Sequence, residues 1–409
     1  MTDDELRLLE EIRANPLDDQ PRRVYADVLL ARGDERGEYI QLALDRDQGH
    51  WDDHKGARWQ ELRARETEWT TAFGLGGIQH VVVHRGLPYS LTCSYELVLQ
   101  HAEAINRLPI THLTLRGNGS LASIAALPGL STLEYLSLGA TGSDSIPHTP
   151  IPRDDLLALA SVSLRSLREL ALCDEALSDT AAGALANARW LGQLERFTIQ
   201  GAFGAQSITG AGLSEIVARP LPRLRELTLQ MTLGDRGARA LATATLPLLE
   251  RLTFLNAHLG DGAAHIFGSS VLAPVDYLHV SNDNLRDSIA ALAAAPHAGK
   301  LRVLEVPMCQ IDDRGTATLA RSQSLPGLKY LSMHYNELGR DGVAALARAT
   351  GMPKLTKLYL ANNPFRTGAR EYHEASEDSD TVSGWYDVPV PREELLALFA
   401  HRPGLQVSV

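Results

Sequence analysis

Cysteine is scarce in this chain. Its 409 residues include only Cys93, Cys173 and Cys309. They are too few and too scattered for a disulfide framework, and none forms a C-x-x-C pair. A reducing compartment fits. Long apolar runs are also missing, so no segment reads as a membrane span. The opening stretch, MTDDELRLLEEIR, is an acidic amphipathic helix without an apolar signal core, and the expected location is the cytoplasm. Positive charge is in deficit. The net charge of −11 argues against a nucleic-acid backbone as partner, and acidity by itself mostly reports solubility. No glycine-rich phosphate loop, H-E-x-x-H helix or nucleophile elbow occurs. Neither a cofactor nor a catalytic residue is therefore expected. What remains is an ordinary globular balance, 44% hydrophobic and 22% charged, with enough apolar residues to fill a long core.

The positive signal is repetition. Leu113-Thr114-Leu115-Arg116-Gly117-Asn118 has the form L-x-L-x-x-N. It returns as Leu331-Ser332-Met333-His334-Tyr335-Asn336 and as Leu358-Tyr359-Leu360-Ala361-Asn362-Asn363. Looser copies begin at Leu136, Leu170, Phe197, Leu227, Leu252, Leu278 and Leu304. From Leu252 to Leu358 the successive steps are 26, 26, 27 and 27 residues. A fixed period in this range predicts a solenoid of stacked strand–helix units, here with about eleven or twelve short strands.

Within a unit, strand alternation sends the two leucines inward and the residues between them outward. A buried asparagine at the end of the motif (Asn118, Asn336, Asn363) is suited to satisfy backbone groups in the turn that leaves the strand. Thr141, Thr232, Asp283 or Cys309 stand there in other units, whereas Glu175, Ala202 and Ala257 depart from the pattern. The second half of each unit reads as helix. Segments beginning at Leu233, Ile311 and Leu338 align without gaps, and Asp235, Asp312 and Asp341 are N-cap or first-turn residues. Strands stack about 4.8 Å apart and helices need about 8–10 Å. The predicted fold class is thus α/β: a horseshoe with parallel strands on the concave face and helices on the convex face.

The ends differ from the repeats. Residues 1–75 predict an all-helical domain that caps the solenoid: a helix capped by Thr2 or Asp3 and ended by Asn15-Pro16, a second over 21–31, a third carrying Ile40, Leu42 and Leu44, and a fourth over roughly 53–73. Tyr25 is expected to pack in its core and Asp27 to cap or to pair with Arg22, Arg23 or Arg32. Residues 76–409 form the solenoid, opened by strands between Ile78 and Cys93. A Gly/Ser/Pro-rich insertion falls at 139–152. An irregular loop is expected over 364–392. It holds Glu374, Glu377, Asp378 and Asp380 beside Tyr372, His373, Trp385 and Tyr386. A C-terminal cap is expected over 393–409.

The L-x-x-L-x-L-x-x-N core, the spacing near 27 and the L-G/D-D-x-G-x-x-A-L-A helix text resemble leucine-rich repeats of the long ribonuclease-inhibitor-like class, from about Ile110 onward. The N-terminal text is similar to the bacterial repeat-companion domain. The matching segments are Asn15-Pro16-Leu17-Asp18-Asp19, Pro21 to Asp27, Arg32 to Arg36 and Gly37 to Leu42. Trp69 and Arg85-Gly86-Leu87-Pro88 match that domain's later helix and its R-G-F/L-P segment. Val28 replaces the usual Trp, and Gly37 a frequent Ala. The resemblance implies a strand–helix solenoid, and members of the wider class mostly bind proteins. One eukaryotic branch activates a GTPase.

Outward strand positions predict the concave surface. Glu169, Arg196, Glu226 and Arg251 alternate in sign along one row, as a solubilising charge ladder would. Toward the C-terminal end Tyr277, His279, Glu305, Tyr330, His334, Tyr335, Lys357 and Tyr359 gather. Exposed tyrosines on a rigid sheet favour binding, because they contribute area at low entropy cost. The predicted function is a non-catalytic scaffold, with a protein or peptide docked on this patch and no membrane or nucleic-acid partner. The acidic loop beside the patch favours a ligand of basic character. A second reading is an enzyme regulator such as a GTPase-activating protein, with Arg116 and Arg251 as the visible candidates for its arginine. A third is a metal-dependent enzyme at His279, Glu305 and His334, a known type of ligand set.

Overall fold

The computed structural model describes residues 2–117, 119–139, 152–173, 177–201, 208–373 and 384–409. The chain forms two compact units, Met1–Leu194 and Glu195–Val409. The fold class is α/β, a leucine-rich-repeat solenoid with one short strand per repeat.

The first unit begins with helices alone. In α1 (Asp3–Ala14), Thr2 accepts from the Glu5 backbone and Glu5 reaches back to the Thr2 N–H, a reciprocal capping box. The chain leaves α1 at Asn15, as Pro16 requires. Helix α2 (Asp19–Ala31) is capped by the Asp18 side chain and starts two residues before the predicted Pro21. Helix α3 (Arg36–Asp47) buries Ile40, Leu42 and Leu44. The expected fourth helix is broken. It runs as α4 (Asp53–Arg63) and α5 (Glu66–Thr70), followed by a wide turn over Thr71–Leu75 with Gly74 at φ +83°. The chain thereby turns Trp69 and Phe73 into the core, where both are buried.

Tyr39, Leu42, Leu62 and Trp69 form that core, with Trp59 and Val83 packed against it. Tyr25 is fully buried as expected. Asp27 accepts from Gln41 Nε2 at 2.8 Å, not from the arginines expected as its partners, because α3 lies beside α2 and offers the nearer donor.

Strands β1 (His80–His84) and β2 (Leu87–Ser94) are antiparallel, joined by Arg85 at φ +50° and Gly86 at φ +76°. A Cβ on Gly86 would stand 2.4 Å from Ile40 of α3, so glycine is required where hairpin and helix meet. Arg85 fixes the same junction through Asp19 (2.9 Å) and Asp47 (3.1 Å). Parallel strands β3 (His112–Arg116), β4 (Tyr135–Leu138) and β5 (Glu169–Leu172) follow in order. Asn118, Thr141, Glu175, Ala202 and most of the 139–152 insertion lie outside the described residues.

In the second unit parallel strands follow one another in chain order. They are β6 (Arg196–Gln200), β7 (Glu226–Gln230), β8 (Arg251–Leu255), β9 (Tyr277–Ser281), β10 (Val303–Glu305), β11 (Tyr330–Ser332) and β12 (Lys357–Tyr359). Phe197, Leu227, Leu252, Leu278, Leu304, Leu331 and Leu358 are in register and buried. The helices between strands pack on one another, and Asp312 caps the one at Asp313–Ala320 by accepting from Gly315 N–H at 2.9 Å.

The 364–392 segment was expected to be irregular. It contains two antiparallel strands, β13 (Arg366–His373) and β14 (Gly384–Pro389). Tyr372, Trp385 and Tyr386 are residue types that favour strands, and the backbones of Arg370 to His373 pair with those of Gly384 to Asp387. Glu374, Glu377, Asp378 and Asp380 lie outside the described residues. A helix at Arg392–Ala397 follows, and β15 (Gln406–Ser408) pairs parallel with β12.

The asparagine position does what its chemistry suggests. Asn336 accepts from the Cys309 and Ile311 N–H groups at 2.9 and 3.1 Å, and donates to Val306, Met333 and His334 carbonyls. Asn363 repeats the pattern one unit on, accepting from Asn336 and Leu338. Asp283 accepts from Leu259 at 2.9 Å. Cys309 donates its thiol to the Val280 and Pro307 carbonyls at 3.2 Å, and burial pushes its pKa up to about 12. Thr232 is exposed and does not take this role.

One further column carries local backbone strain. Four residues after each strand leucine stand Asn256, Asn282, Met308, Tyr335 and Asn362, all left-handed with φ between +49° and +60°. The first four donate their N–H to Ser281, Pro307, His334 and Ala361 of the next repeat. Asparagine tolerates this conformation; methionine and tyrosine tolerate it less readily.

Candidate functional site

The predicted patch lies on the second unit's strand face, in the predicted register. Val303 pairs with Tyr277 and Tyr330, and Tyr330 with Lys357. His279, Glu305, Ser332 and Tyr359 form the neighbouring row. The leucines between them point into the core, so the intervening side chains stand on the opposite face.

Glu305 is the chemical centre. Its Oε2 accepts from the Tyr277 hydroxyl at 2.6 Å and from His279 Nδ1 at 2.8 Å. An ionised carboxylate only accepts, so Nδ1 of His279 carries the proton. Burial works to raise the Glu305 pKa. The two hydrogen bonds and the nearby imidazoles outweigh it and hold the carboxyl below its ordinary value. Tyr277 titrates well above the usual phenol range, first from burial and then because it donates to Glu305. The Tyr277 and His279 rings are parallel within 5° at 6.5 Å. Arg251 lays its guanidinium over the Tyr277 ring, 3.8 Å from the centroid.

A second group adjoins the first. His334 Nδ1 bonds Ser332 Oγ at 2.8 Å, and its ring contacts Tyr335 at 5.5 Å and Tyr359 at 5.1 Å. Burial pushes the His334 pKa down, with the Glu305 charge opposing and His279 reinforcing that shift. Tyr335 is 53% exposed. Met308, at the equivalent left-handed position one repeat earlier, is 46% exposed. The predicted residues therefore fall into a carboxylate-centred group (Tyr277, His279, Glu305) and an imidazole-centred group (His334, Tyr335, Tyr359). Tyr330 and the exposed Lys357 complete the outer row.

The residues of the alternative metal reading are placed as follows. His279 bonds Glu305, while His334 bonds Ser332. Among the described residues no group of three or more His, Cys, Asp or Glu side chains is set to hold a metal ion. Arg116 is exposed at the end of β3. In the charge ladder Arg196, Glu226 and Arg251 are register neighbours, but Arg251 turns to Tyr277.

Sequence reasoning missed Arg251 as a wall of the patch. The signal was available, since Arg251 precedes its strand leucine in the same row as Tyr277. It also missed a second aromatic strip in the first unit. His84, Tyr89, His112 and Tyr135 contact one another in succession with centroids 5.3, 4.4 and 5.5 Å apart, the first two pairs tilted and the last stacked. Tyr89 OH bonds His112 Nε2 at 3.1 Å. His84 and Tyr89 escaped notice because β1–β2 is an antiparallel hairpin with a register shift at Val82/Val83, and repeat counting does not reach it.

No known protein family matches the chain, and no curated protein matches it. Solved structures do show similarity. A Bacteroides fragilis protein aligns at 15% identity and TM-score 0.37, over 61% of this chain and 65% of its own. Yeast Rad7, solved as a complex with Elc1, aligns at 15% identity and TM-score 0.39, over 75% and 77%. An internalin of Listeria monocytogenes aligns at 16% identity and TM-score 0.36, over 75% and 82%. Superpositions at this level carry neither a partner nor a site over to this chain. Among the described residues no helix is long and apolar enough to cross a membrane.

Proposed function

We propose that the chain is a non-catalytic interaction scaffold that binds a protein or peptide on the second unit's strand face. The contact residues are Tyr277, His279, Glu305, Tyr330, His334, Tyr335, Lys357 and Tyr359. One observation carries the reading: a carboxylate preorganised by Tyr277 and His279 on a rigid sheet, set among partly exposed aromatic rings. Rings of this kind supply most of the energy at protein interfaces. Only one oxygen of Glu305 is engaged by these two donors, so a basic partner side chain has an acceptor there. The test is affinity capture with the wild-type chain and with Tyr330→Ala/Tyr359→Ala, followed by mass spectrometry. The reading requires a protein retained by the first and lost from the second. Identical recoveries would remove this face as the binding surface.

We also propose that residues 1–75 act as the N-terminal cap of the solenoid, residues 76–409. Its support is local. Arg13 donates to the Asn106 carbonyl, and Val83 packs into the helical core. A truncated protein starting at residue 76 should aggregate as its apolar edge is exposed. One that stays monomeric and melts normally would make the segment an independent module.

A further inference from the structure

Away from the strand patch, the first unit holds a cavity of about 370 Å³ between α3, α4 and β1. Tyr39, Trp59, Arg46, Arg63, Arg85 and Glu66 supply its polar and aromatic lining. The volume lies within the range of small-ligand sites. Its charge is uneven, with three guanidinium groups against one carboxylate.

Two of those groups lack a close ion pair. Arg85 is held by Asp19 and Asp47, and Glu66 accepts from the Tyr39 hydroxyl. The nearest carboxylate oxygen to Arg46 is 3.9 Å away, on Asp47. Among the described residues Arg63 has no carboxylate in ion-pair range. Both instead lie over the Trp59 ring, at 4.5 and 5.0 Å from its centroid. Two like charges over one ring repel each other, and an anion between them would relieve that repulsion.

We propose that this cavity binds a small organic oxyanion, a carboxylate or phosphate on a flat or apolar carrier. Arg46 and Arg63 hold the charge beside Trp59, and the apolar lining of Val81 and Val82 receives the carrier. Guanidinium suits either oxyanion, because its planar fork matches two oxygens at once.

The test uses the full chain labelled with ¹⁵N-tryptophan. The Trp59 indole resonance is assigned by its loss in Trp59→Phe. Benzoate and phenyl phosphate are titrated at constant ionic strength, with uncharged benzamide as control. At least one oxyanion should shift the resonance saturably, and benzamide should not. Whichever oxyanion titrates identifies the source of the charge. Arg46→Gln and Arg63→Gln should each weaken binding by at least about fivefold. Both side chains are exposed, so the variants should fold, and an unchanged melting curve checks that. The assignment is overturned by an absence of saturable shift with both oxyanions, or by wild-type affinity in both glutamine variants. If Trp59→Phe does not fold, intrinsic fluorescence in the same titrations gives the same decision through the arginine variants.

Discussion

Four rings, His84, Tyr89, His112 and Tyr135, follow one another along the first unit's strands with centroids 4.4 to 5.5 Å apart. On the second unit Tyr277, His279, His334 and Tyr359 are the same residue types at similar outward positions, but they do not form one continuous row of ring contacts. They divide around Glu305, whose carboxylate collects two hydrogen bonds and depresses its own proton affinity. In the first strip each ring finds its partner in the next ring. In the second, a charge holds the rings in place and leaves part of its own hydrogen-bonding capacity open. Aromatic content alone therefore does not mark a binding face. A ring set that satisfies itself is a structural ladder, and one organised by a partly exposed acceptor keeps chemistry available to a partner.

The largest expected effects test whether the two faces rest on equally firm cores. Leu304 and Leu113 are both buried under their strands. Leu304→Ala and Leu113→Ala should each cost about 2–5 kcal/mol, because a stacked repeat collapses poorly around a missing leucine. Chemical denaturation checks this. An unchanged midpoint for either variant would show that its strand is not anchored as described.

Next in size is Asn336→Ala, which strips partners from the buried Cys309 and Ile311 N–H groups and from several carbonyls. Each buried group left unpaired costs about 1–3 kcal/mol, so a total loss near 3 kcal/mol is expected. A loss under about 1 kcal/mol would mean that water replaces the side chain.

Acid should weaken both strips. His334 and His84 are pushed below the ordinary imidazole value, chiefly by burial. The folded state therefore binds fewer protons than the unfolded one. This stability is present above the unfolded value, near pH 6.5, and is lost as pH falls through the depressed folded value. Glu305 acts with the same sign at lower pH. Melting temperature should fall from pH 7.5 to 5.5, and His334→Gln should flatten that slope. An unchanged slope would place the sensitivity elsewhere.

The smallest effect separates stability from binding. Tyr335 holds a left-handed backbone at φ +55° while more than half exposed. Tyr335→Asn should raise stability by up to about 1 kcal/mol, since Asn256, Asn282 and Asn362 occupy the same column. The same change removes a ring from the patch, so partner affinity should fall as the melting temperature rises.

Repeat period and strand alternation made the strand leucines, the rows of outward residues and the Asn336 and Asn363 roles legible before any coordinates, because each depends on spacing alone. The break between α4 and α5 was not legible. Residues 53–73 contain no proline and read as one helix, and the turn at Gly74 answers to tertiary packing of Trp69 and Phe73. Strands β13 and β14 were hidden by a composition that reads as loop. Within the patch, spacing placed Tyr277, His279 and Glu305 side by side. The hydrogen bonds that join them, and the turn of Arg251 onto Tyr277, depend on rotamers that no spacing specifies.

The most direct test of the central claim is partner affinity measured on four forms of the full chain: wild type, Tyr330→Ala, Tyr359→Ala and His112→Ala/Tyr135→Ala. The partner is the protein recovered by wild-type capture, and calorimetry supplies each affinity. The account predicts that each second-unit tyrosine change weakens binding by more than about 1 kcal/mol, and that the first-unit pair leaves it unchanged. A loss confined to the His112→Ala/Tyr135→Ala protein would contradict it and move the binding surface to the other strip.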